Sequence, residues 1–268
     1  IAGHLAAAGH NVTVVEPNLD TLSRWCQNHE GTSAPSAGAA ASDAEIVITS
    51  LPADAQLQAV AEGILDNLPS GGVWVDHTTA SVQISRTLAR DASTRDLGFI
   101  DAPVSGGVDG ATHGTLAIMA GGTTTDIDRV RPLLECYAKR ISHMGDAGTG
   151  QLTKMTNQIC VVGIGQALAE GLDFAETAGL DLEKVVGVML SGASASWQME
   201  NRWQAMANSD YEFGFATELM RKDIGLCLAE ARRSGVGLPV TALVDQFLSD
   251  VEALGGKRWD WCSLMERQ

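Results

Sequence analysis

Gly145-Asp-Ala-Gly148-Thr-Gly150-Gln-Leu-Thr-Lys154-Met-Thr-Asn157-Gln158 divides the chain into two kinds of sequence. Its three glycines make a flexible turn. A pattern of helical type comes next, from about Gln151 to Ala178. Lys154, Asn157 and Gln158 stand at i, i+3 and i+4 and share one face of that helix. A cation beside two amide side chains, one turn into a helix, suits a polar substrate. An ordinary solvated helix lysine is the plain alternative, and this stretch alone does not exclude it.

Upstream of the turn, strand-like runs alternate with helical patterns. Asn11–Glu16, Ala44–Ser50, Gly72–Asp76, Gly98–Asp101 and Arg140–Met144 read as strands. Ile1–Gly9, Leu19–Glu30, Ala53–Leu65, Ser81–Ala92 and Asp126–Cys136 read as helices, with Gly9 a good C-cap. Gly31–Ser42 reads as a small-residue loop, and Gly110–Gly122 as a hairpin-like pair of extended segments. The alternation implies a parallel sheet with covered faces, whose ligands bind beyond the carboxyl ends of the strands. Glu16, Leu51-Pro52, Thr79 and Ala102-Pro103 all fall at such ends, hence on one rim. Ser105 offers a hydroxyl, and Gly106 and Gly107 let backbone N–H groups approach an anion; a plain turn is the alternative.

A helix, Gly9, then a strand ending in Glu16 matches the order of elements after the glycine-rich loop of a dinucleotide-binding βαβ unit. An acid there accepts hydrogen bonds from the adenosine ribose and repels a 2′-phosphate. No Arg comes after Glu16, which favours NAD over NADP; an exposed strand-end Glu is the other reading. A chain that opens inside this helix is expected to have lost a leading strand and its G-x-G-x-x-G loop. The expectation is then weak NAD binding or poor solubility, because a central strand would be missing and its neighbours' edges bare.

Downstream of the turn no strand signal survives. Asp181–Leu190, Ser196–Met206, Thr217–Ser234 and Pro239–Leu254 read as helices after the long one. Gly163, Gly165 and Gly171 notch the long helix for close approach of another. Trp197, Trp203, Trp259 and Trp261 are read as core or subunit interface. The chain therefore divides into an αβ part, 1–147, and an all-α part, 148–268.

Composition narrows the function classes. The chain has 268 residues, 45% hydrophobic and 19% charged, which is ordinary for a globular protein. A formal charge of −15 argues against nucleic acid or an anionic membrane as partner. No apolar run approaches the roughly 18 residues of a membrane span. Five cysteines without a CxxC and six histidines without close pairing suggest neither a disulfide framework nor a metal site. A reducing, cytoplasmic setting is the default expectation.

Two long motifs resemble the β-hydroxyacid dehydrogenases, the 3-hydroxyisobutyrate dehydrogenase type related to 6-phosphogluconate dehydrogenase. One is Phe99-Ile-Asp-Ala-Pro-Val-Ser105-Gly106-Gly107-Val-Asp-Gly-Ala-Thr-His-Gly-Thr-Leu; the other is the run from Gly145 to Gln158. Leu219-Met-Arg-Lys222-Asp223 is a third, weaker match, and the motifs stand in the family's order. The resemblance implies a doubly wound, Rossmann-type parallel sheet, here lacking its first strand, followed by an all-α domain. It implies that Ser105, Gly106 and Gly107 hold a substrate carboxylate. Lys154 would then be the catalytic acid/base, with Asn157 and Gln158 beside the substrate. Leu51, Pro52 and Thr79, with Glu16, would contact the cofactor, and Lys222 would lie near the nicotinamide. Two positions depart from the family's pattern: Gln158 where Asn is frequent, and Gln56 where Asn often stands after Pro52.

These residues suit hydride transfer between NAD and a small 3-hydroxy acid. Lys154 acts as a base only when neutral, which requires its pKa to fall from about 10.4 through burial or a nearby cation such as Lys222. No metal is required. Imine reduction on the same fold, and a non-catalytic binding or assembly domain, are the alternatives. Assembly as a homodimer or homotetramer is expected from the helical part.

Overall fold

The computed structural model describes residues 1–267 and divides into two units, Ile1–Lys154 and Met155 onward. The first unit runs α1 (Ala2–Ala7), β1 (Thr13–Val14), α2 (Leu19–Asn28), β2 (Thr32–Ser33), α3 (Ala37–Ala41), β3 (Ile46–Thr49) and α4 (Asp54–Asn67). It continues with β4 (Val73–Asp76), α5 (Val82–Ser93), β5 (Gly98–Asp101), β6 (Val104–Ser105), α6 (Gly107–His113), β7 (Leu116–Gly121), α7 (Thr124–Leu134) and β8 (Ala138–Gly145). The first turns of α8 (Thr149–Thr177) complete it.

Six strands form the main sheet in the order β3-β4-β5-β7-β6, with β8 on the far side of β7. β3, β4 and β5 are parallel neighbours, in a register that sets Thr49 beside Asp76 and Asp76 beside Asp101. The sheet is mixed rather than all parallel, because β7 runs antiparallel to both β5 and β6. β1 and β2 pair with each other as a separate parallel ribbon.

The pleat sorts each strand between two cores. Trp74 and Phe99 point into one, with Leu57, Ile64 and Leu88 of α4 and α5. Val73, Val75 and Ile100 point into the other, with Ile127, Val130 and Leu134 of α7 and Leu5 of α1. Burial on both faces is why these strands read as continuous apolar runs. Trp74 is wholly buried, so its indole N–H needs a partner, and it donates to Thr49 Oγ1 at 2.9 Å. Side-chain N-caps start several helices: Asn18 for α2, Ser81 for α5 and Thr123 for α7.

Two segments differ from the sequence expectation. Gly31–Ser42 is not a loop throughout: it holds β2 and α3. Ser36 caps α3 through the Ala39 N–H, and Gly38 lies so close to Gly63 that an added Cβ would come 3.0 Å from the Gly63 carbonyl. The small residues are a packing notch for α4. Gly110–Gly122 is likewise not a hairpin. Gly106 (φ +126°) and Gly107 (φ +61°) turn the chain into α6, Gly114 (φ +67°) ends it, and only Leu116–Gly121 is extended.

The second unit holds the rest of α8, then α9 (Leu182–Met189), α10 (Trp197–Ala207), α11 (Thr217–Ser234) and α12 (Pro239–Ala253). Two 3₁₀ turns, Gly256–Arg258 and Trp261–Arg267, come last. Its core gathers Val162, Leu172, Val186, Met199, Ile224, Val244, Leu248 and Trp261. The glycines of α8 are not equivalent notches. A Cβ on Gly165 would run into the Trp261 ring, whereas Gly163 and Gly171 have nothing within 4 Å. Trp261 is core, Trp203 and Trp259 pack partly buried against it, and Trp197 is 55% exposed. Buried Asp260 ties the C-terminal turns down: its carboxylate accepts the Phe215 N–H at 2.9 Å and the Cys262 N–H at 3.0 Å, and it faces Arg202 at 3.4 Å. No described helix is long and apolar enough to cross a membrane.

Candidate active site

The carboxyl ends of β3, β4 and β5 carry a buried polar network in the first unit. Asp76 closes β4 with no exposed surface, and its Oδ1 accepts from Thr49 Oγ1 at 2.7 Å and Thr78 Oγ1 at 2.6 Å. Its Oδ2 is buried with no hydrogen-bond partner. Burial pushes this carboxyl up to about 6 against the pull of those bonds. Thr78 Oγ1 in turn accepts the Leu51 N–H at 3.0 Å. The end of β3, with Leu51 and Pro52, is thereby fixed to the end of β4.

Gln151 grips the next peptides. Its Nε2 donates to the Thr78 carbonyl at 2.7 Å and its Oε1 accepts the Ala80 N–H at 3.1 Å, so one amide brackets Thr79. Thr79 itself stays partly open. The two backbone groups belong to a loop leaving a parallel strand, so their bonds must come from outside the sheet.

Asp101 closes β5 and is fully buried. Its Oδ1 accepts the Gly148 N–H at 2.7 Å and its Oδ2 accepts the Gln151 N–H at 2.9 Å. These are among the donors that the start of α8 leaves unpaired. Burial raises this carboxyl to about 7, opposed by the two N–H bonds. Gly150 fits between them because it lacks a Cβ, which would run into the Met119 carbonyl and lie 2.5 Å from that of Asp101.

Lys154 sits at the end of this arrangement. Its side chain is nearly buried, and Nζ donates to the Val104 carbonyl at 3.0 Å. Ser105, Gly106 and Gly107 come directly after, half-buried and then exposed, and nothing lies within 4 Å of where a Gly107 Cβ would stand. The lysine and the anion-suited loop are therefore neighbours in the same unit. Glu16 is placed differently. It lies two residues past β1, in the separate ribbon, with Oε1 accepting the Asn18 N–H at 2.8 Å. No strand pairing joins it to the other strand ends.

In the second unit Asn157 Nδ2 donates to Gln158 Oε1 at 2.9 Å, and Gln158 Nε2 donates to Asp223 Oδ2 at 2.7 Å. Gln158 is buried, so its amide is committed to Asn157 on one side and Asp223 on the other. Lys222, expected to act on Lys154 as a cation, forms an ion pair with buried Asp223 at 2.8 Å, which offsets its charge.

Sequence reasoning passes over Asp76, Thr78, Asp101, Gln151 and Asp223 as functional groups. A signal exists for two of them: Asp76 and Asp101 each end an apolar strand at the corresponding place. Gln151 and Asp223 carry none, because both act through partners distant in sequence.

Comparison with known proteins gives a consistent picture. Residues 1–145 match the family described as the NAD binding domain of 6-phosphogluconate dehydrogenase. Residues 148–267 match the family described as NAD-binding of NADP-dependent 3-hydroxyisobutyrate dehydrogenase. An uncharacterized oxidoreductase of Shewanella frigidimarina is 46% identical over 270 residues, covering 100% of this chain and 93% of that protein. The 3-hydroxyisobutyrate dehydrogenase of Pseudomonas aeruginosa is 34% identical over 261 residues, covering 93% of this chain and 87% of its own. The solved 3-hydroxyisobutyrate dehydrogenase of Mycobacterium tuberculosis with L-serine superposes with a TM-score of 0.89 at 29% identity, covering 99% of this chain and 93% of that one. An imine reductase from Pseudomonas sp., 18% identical with a TM-score of 0.63 and covering 99% and 93% of the two chains, shares the fold alone. The expected loss of a front segment is not borne out by these matches.

Proposed function

We propose that this chain, which belongs to the β-hydroxyacid dehydrogenases of the 3-hydroxyisobutyrate dehydrogenase type, moves a hydride between NAD and a small 3-hydroxy acid, with Lys154 as acid/base. It is an oxidoreductase of that family with nicotinamide-binding domains. The observation that carries the finer reading is Lys154 Nζ on the Val104 carbonyl, one residue before Ser105-Gly106-Gly107.

The residues fit the cofactor where a doubly wound sheet places one. Leu51, Pro52 and Thr79 leave the carboxyl ends of two adjacent parallel strands. Glu16 uses one carboxylate oxygen on Asn18, which leaves the other for a ribose hydroxyl. When bound, the nicotinamide supplies the hydride acceptor or donor. The protein's own task is the proton and the carboxylate. The Ser105 hydroxyl and the N–H groups of Gly106 and Gly107 receive the substrate carboxylate. In oxidation, neutral Lys154 keeps one N–H on Val104 and takes the hydroxyl proton on its lone pair. In reduction the ammonium returns that proton. The Val104 carbonyl thus aims the nitrogen as well as anchoring it. Asn157, on the same face one turn along α8, orients the substrate, and Gln158 holds Asn157.

The test is turnover of 3-hydroxyisobutyrate, L-serine, tartronate semialdehyde and a set of amines, each with NAD(H) and with NADP(H). Hydroxy acids should turn over and amines should not. NAD should give the higher kcat/KM, because Glu16 repels a 2′-phosphate and Pro17 and Asn18 supply no cation. Equal efficiency with both cofactors would remove Glu16 as the discriminator. Turnover of amines alone would favour imine reduction, and no turnover at all a binding or assembly role.

A further inference from the structure

We propose that Asp101 and Gln151 are positioning residues, which set Lys154 against the Val104 and Thr79 segments through the first turn of α8. The proposal rests on Lys154 being the acid/base group.

A helix N-cap ordinarily comes from the residue just before the helix. Here the start of α8 is capped from 47 and 50 residues away, by a fully buried carboxylate at the end of β5. A cap of that kind satisfies donors, and it also fixes where the helix starts relative to the sheet. The connections close a small ring. From Asp101 the chain passes through Ala102 and Pro103 to Val104, whose carbonyl holds Lys154 Nζ. From Lys154, α8 leads back to Gln151, whose N–H returns to Asp101 Oδ2. Pro103 stiffens one side of the ring and helix hydrogen bonds stiffen the other. Space is closed off as well: a Cβ on Gly121 would meet Asp101 Oδ1 at 2.5 Å, and one on Gly150 would meet Asp101 Oδ2 at 2.8 Å. Gln151 extends the brace to the cofactor side, since its amide holds the peptides flanking Thr79. One helical turn thereby references the proton-transfer nitrogen both to the carboxylate-binding loop and to the end of β4. Misplacement of a reacting group by about 1 Å costs as much as 10²-fold in rate.

The experiment compares Gln151→Met, Asp101→Asn, Lys154→Ala and, as a control of equal burial away from the site, Leu134→Ala. Each is assayed for kcat and KM with the hydroxy acid and cofactor that the parent enzyme uses, and for Tm. Gln151→Met keeps the backbone cap and removes only the bracket; Asp101→Asn places an amide N–H against a backbone N–H. Expected is a fall in kcat of about 10- to 100-fold in both, with the cofactor KM within about threefold of the parent. Leu134→Ala should lower Tm and leave the kcat of the folded enzyme unchanged. If Asp101→Asn does not fold, Gly150→Ala retains the carboxylate while forcing it off α8, and should lower kcat in the same way. A kcat near the parent's in Gln151→Met and Asp101→Asn, with Lys154→Ala inactive, overturns the positioning role alone. Loss of kcat that merely tracks Tm, as strongly in Leu134→Ala, overturns it as well. An active Lys154→Ala, or a parent without turnover on any hydroxy acid, overturns the functional reading and this proposal together.

Discussion

Lys154 and His77 are both buried titratable groups held by backbone carbonyls, yet they serve different ends. Lys154 lies beside an open, glycine-lined loop, so its proton can be passed on. Lys154→Ala is expected to lower turnover by at least about 10²-fold. It should cost only about 1 kcal/mol of stability, since alanine keeps helix propensity and one hydrogen bond is lost. Activity within about threefold of the parent would take Lys154 out of the acid/base role. His77 is sealed: Nδ1–H donates to the Ala102 carbonyl at 2.6 Å, so Nε2 is the acceptor for the Tyr137 hydroxyl at 2.8 Å. That arrangement needs a neutral ring, and burial lowers its pKa to about 4. The unfolded chain takes up this proton near pH 6.5 and the folded chain does not. The stability His77 contributes is therefore complete above about pH 6.5 and is lost as pH falls toward about 4. Asp76 and Asp101, both raised by burial, act with the opposite sign: their contribution is lost as pH rises from about 4 to about 7. The His77 part can be isolated by comparison with His77→Gln. The stability gap between the two proteins should shrink by on the order of 3 kcal/mol between pH 6.5 and pH 4. A gap independent of pH would show that His77 is not a buried neutral ring.

At the scale of the element, α8 shows how one residue type takes two roles in one helix. Gly165 is required by contact, because the Trp261 ring occupies the place of its Cβ; Gly163 faces open space. Gly165→Ala should destabilise by about 1–3 kcal/mol through overpacking. Gly163→Ala should stabilise by up to about 1 kcal/mol through helix propensity. Denaturant unfolding of the two variants checks this; equal shifts would mean that Trp261 does not sit on Gly165. The same helix is legible in sequence to within two residues at its start, because its apolar pattern is long and its glycine turn is clear. α3 and α6 are not legible. Both are short, rich in glycine and alanine, and formed by their surroundings: a capping serine and a Gly38–Gly63 contact for one, two left-handed glycines for the other.

At the scale of the whole molecule, apolar surface is unevenly covered. Phe174, Val188, Val240 and Trp197 of the second unit are each more than half exposed. Trp261, which the sequence leaves open between core and interface, belongs to the core. Large exposed apolar groups on one unit favour self-association. A dimer or tetramer is the expected state, and light scattering at micromolar concentration should give a multiple of 28.1 kDa. A mass near that of one chain would rule this out.

The sequence by itself determined the order of strands and helices, the division near the glycine turn, the family, and the neighbourhood of Lys154 with Ser105-Gly106-Gly107. Each rests on local pattern: periodicity, turn glycines, or motifs that are contiguous in the chain. Tertiary structure alone decided that the sheet is mixed, that Gln151 brackets Thr79, and that Asp101 caps a helix 47 residues away. It also decided that Lys222 is paired with Asp223 and that Gln158 faces inward. The physical reason is the same in each case. A buried polar atom must find a partner, and only the folded chain shows which distant residue meets that need.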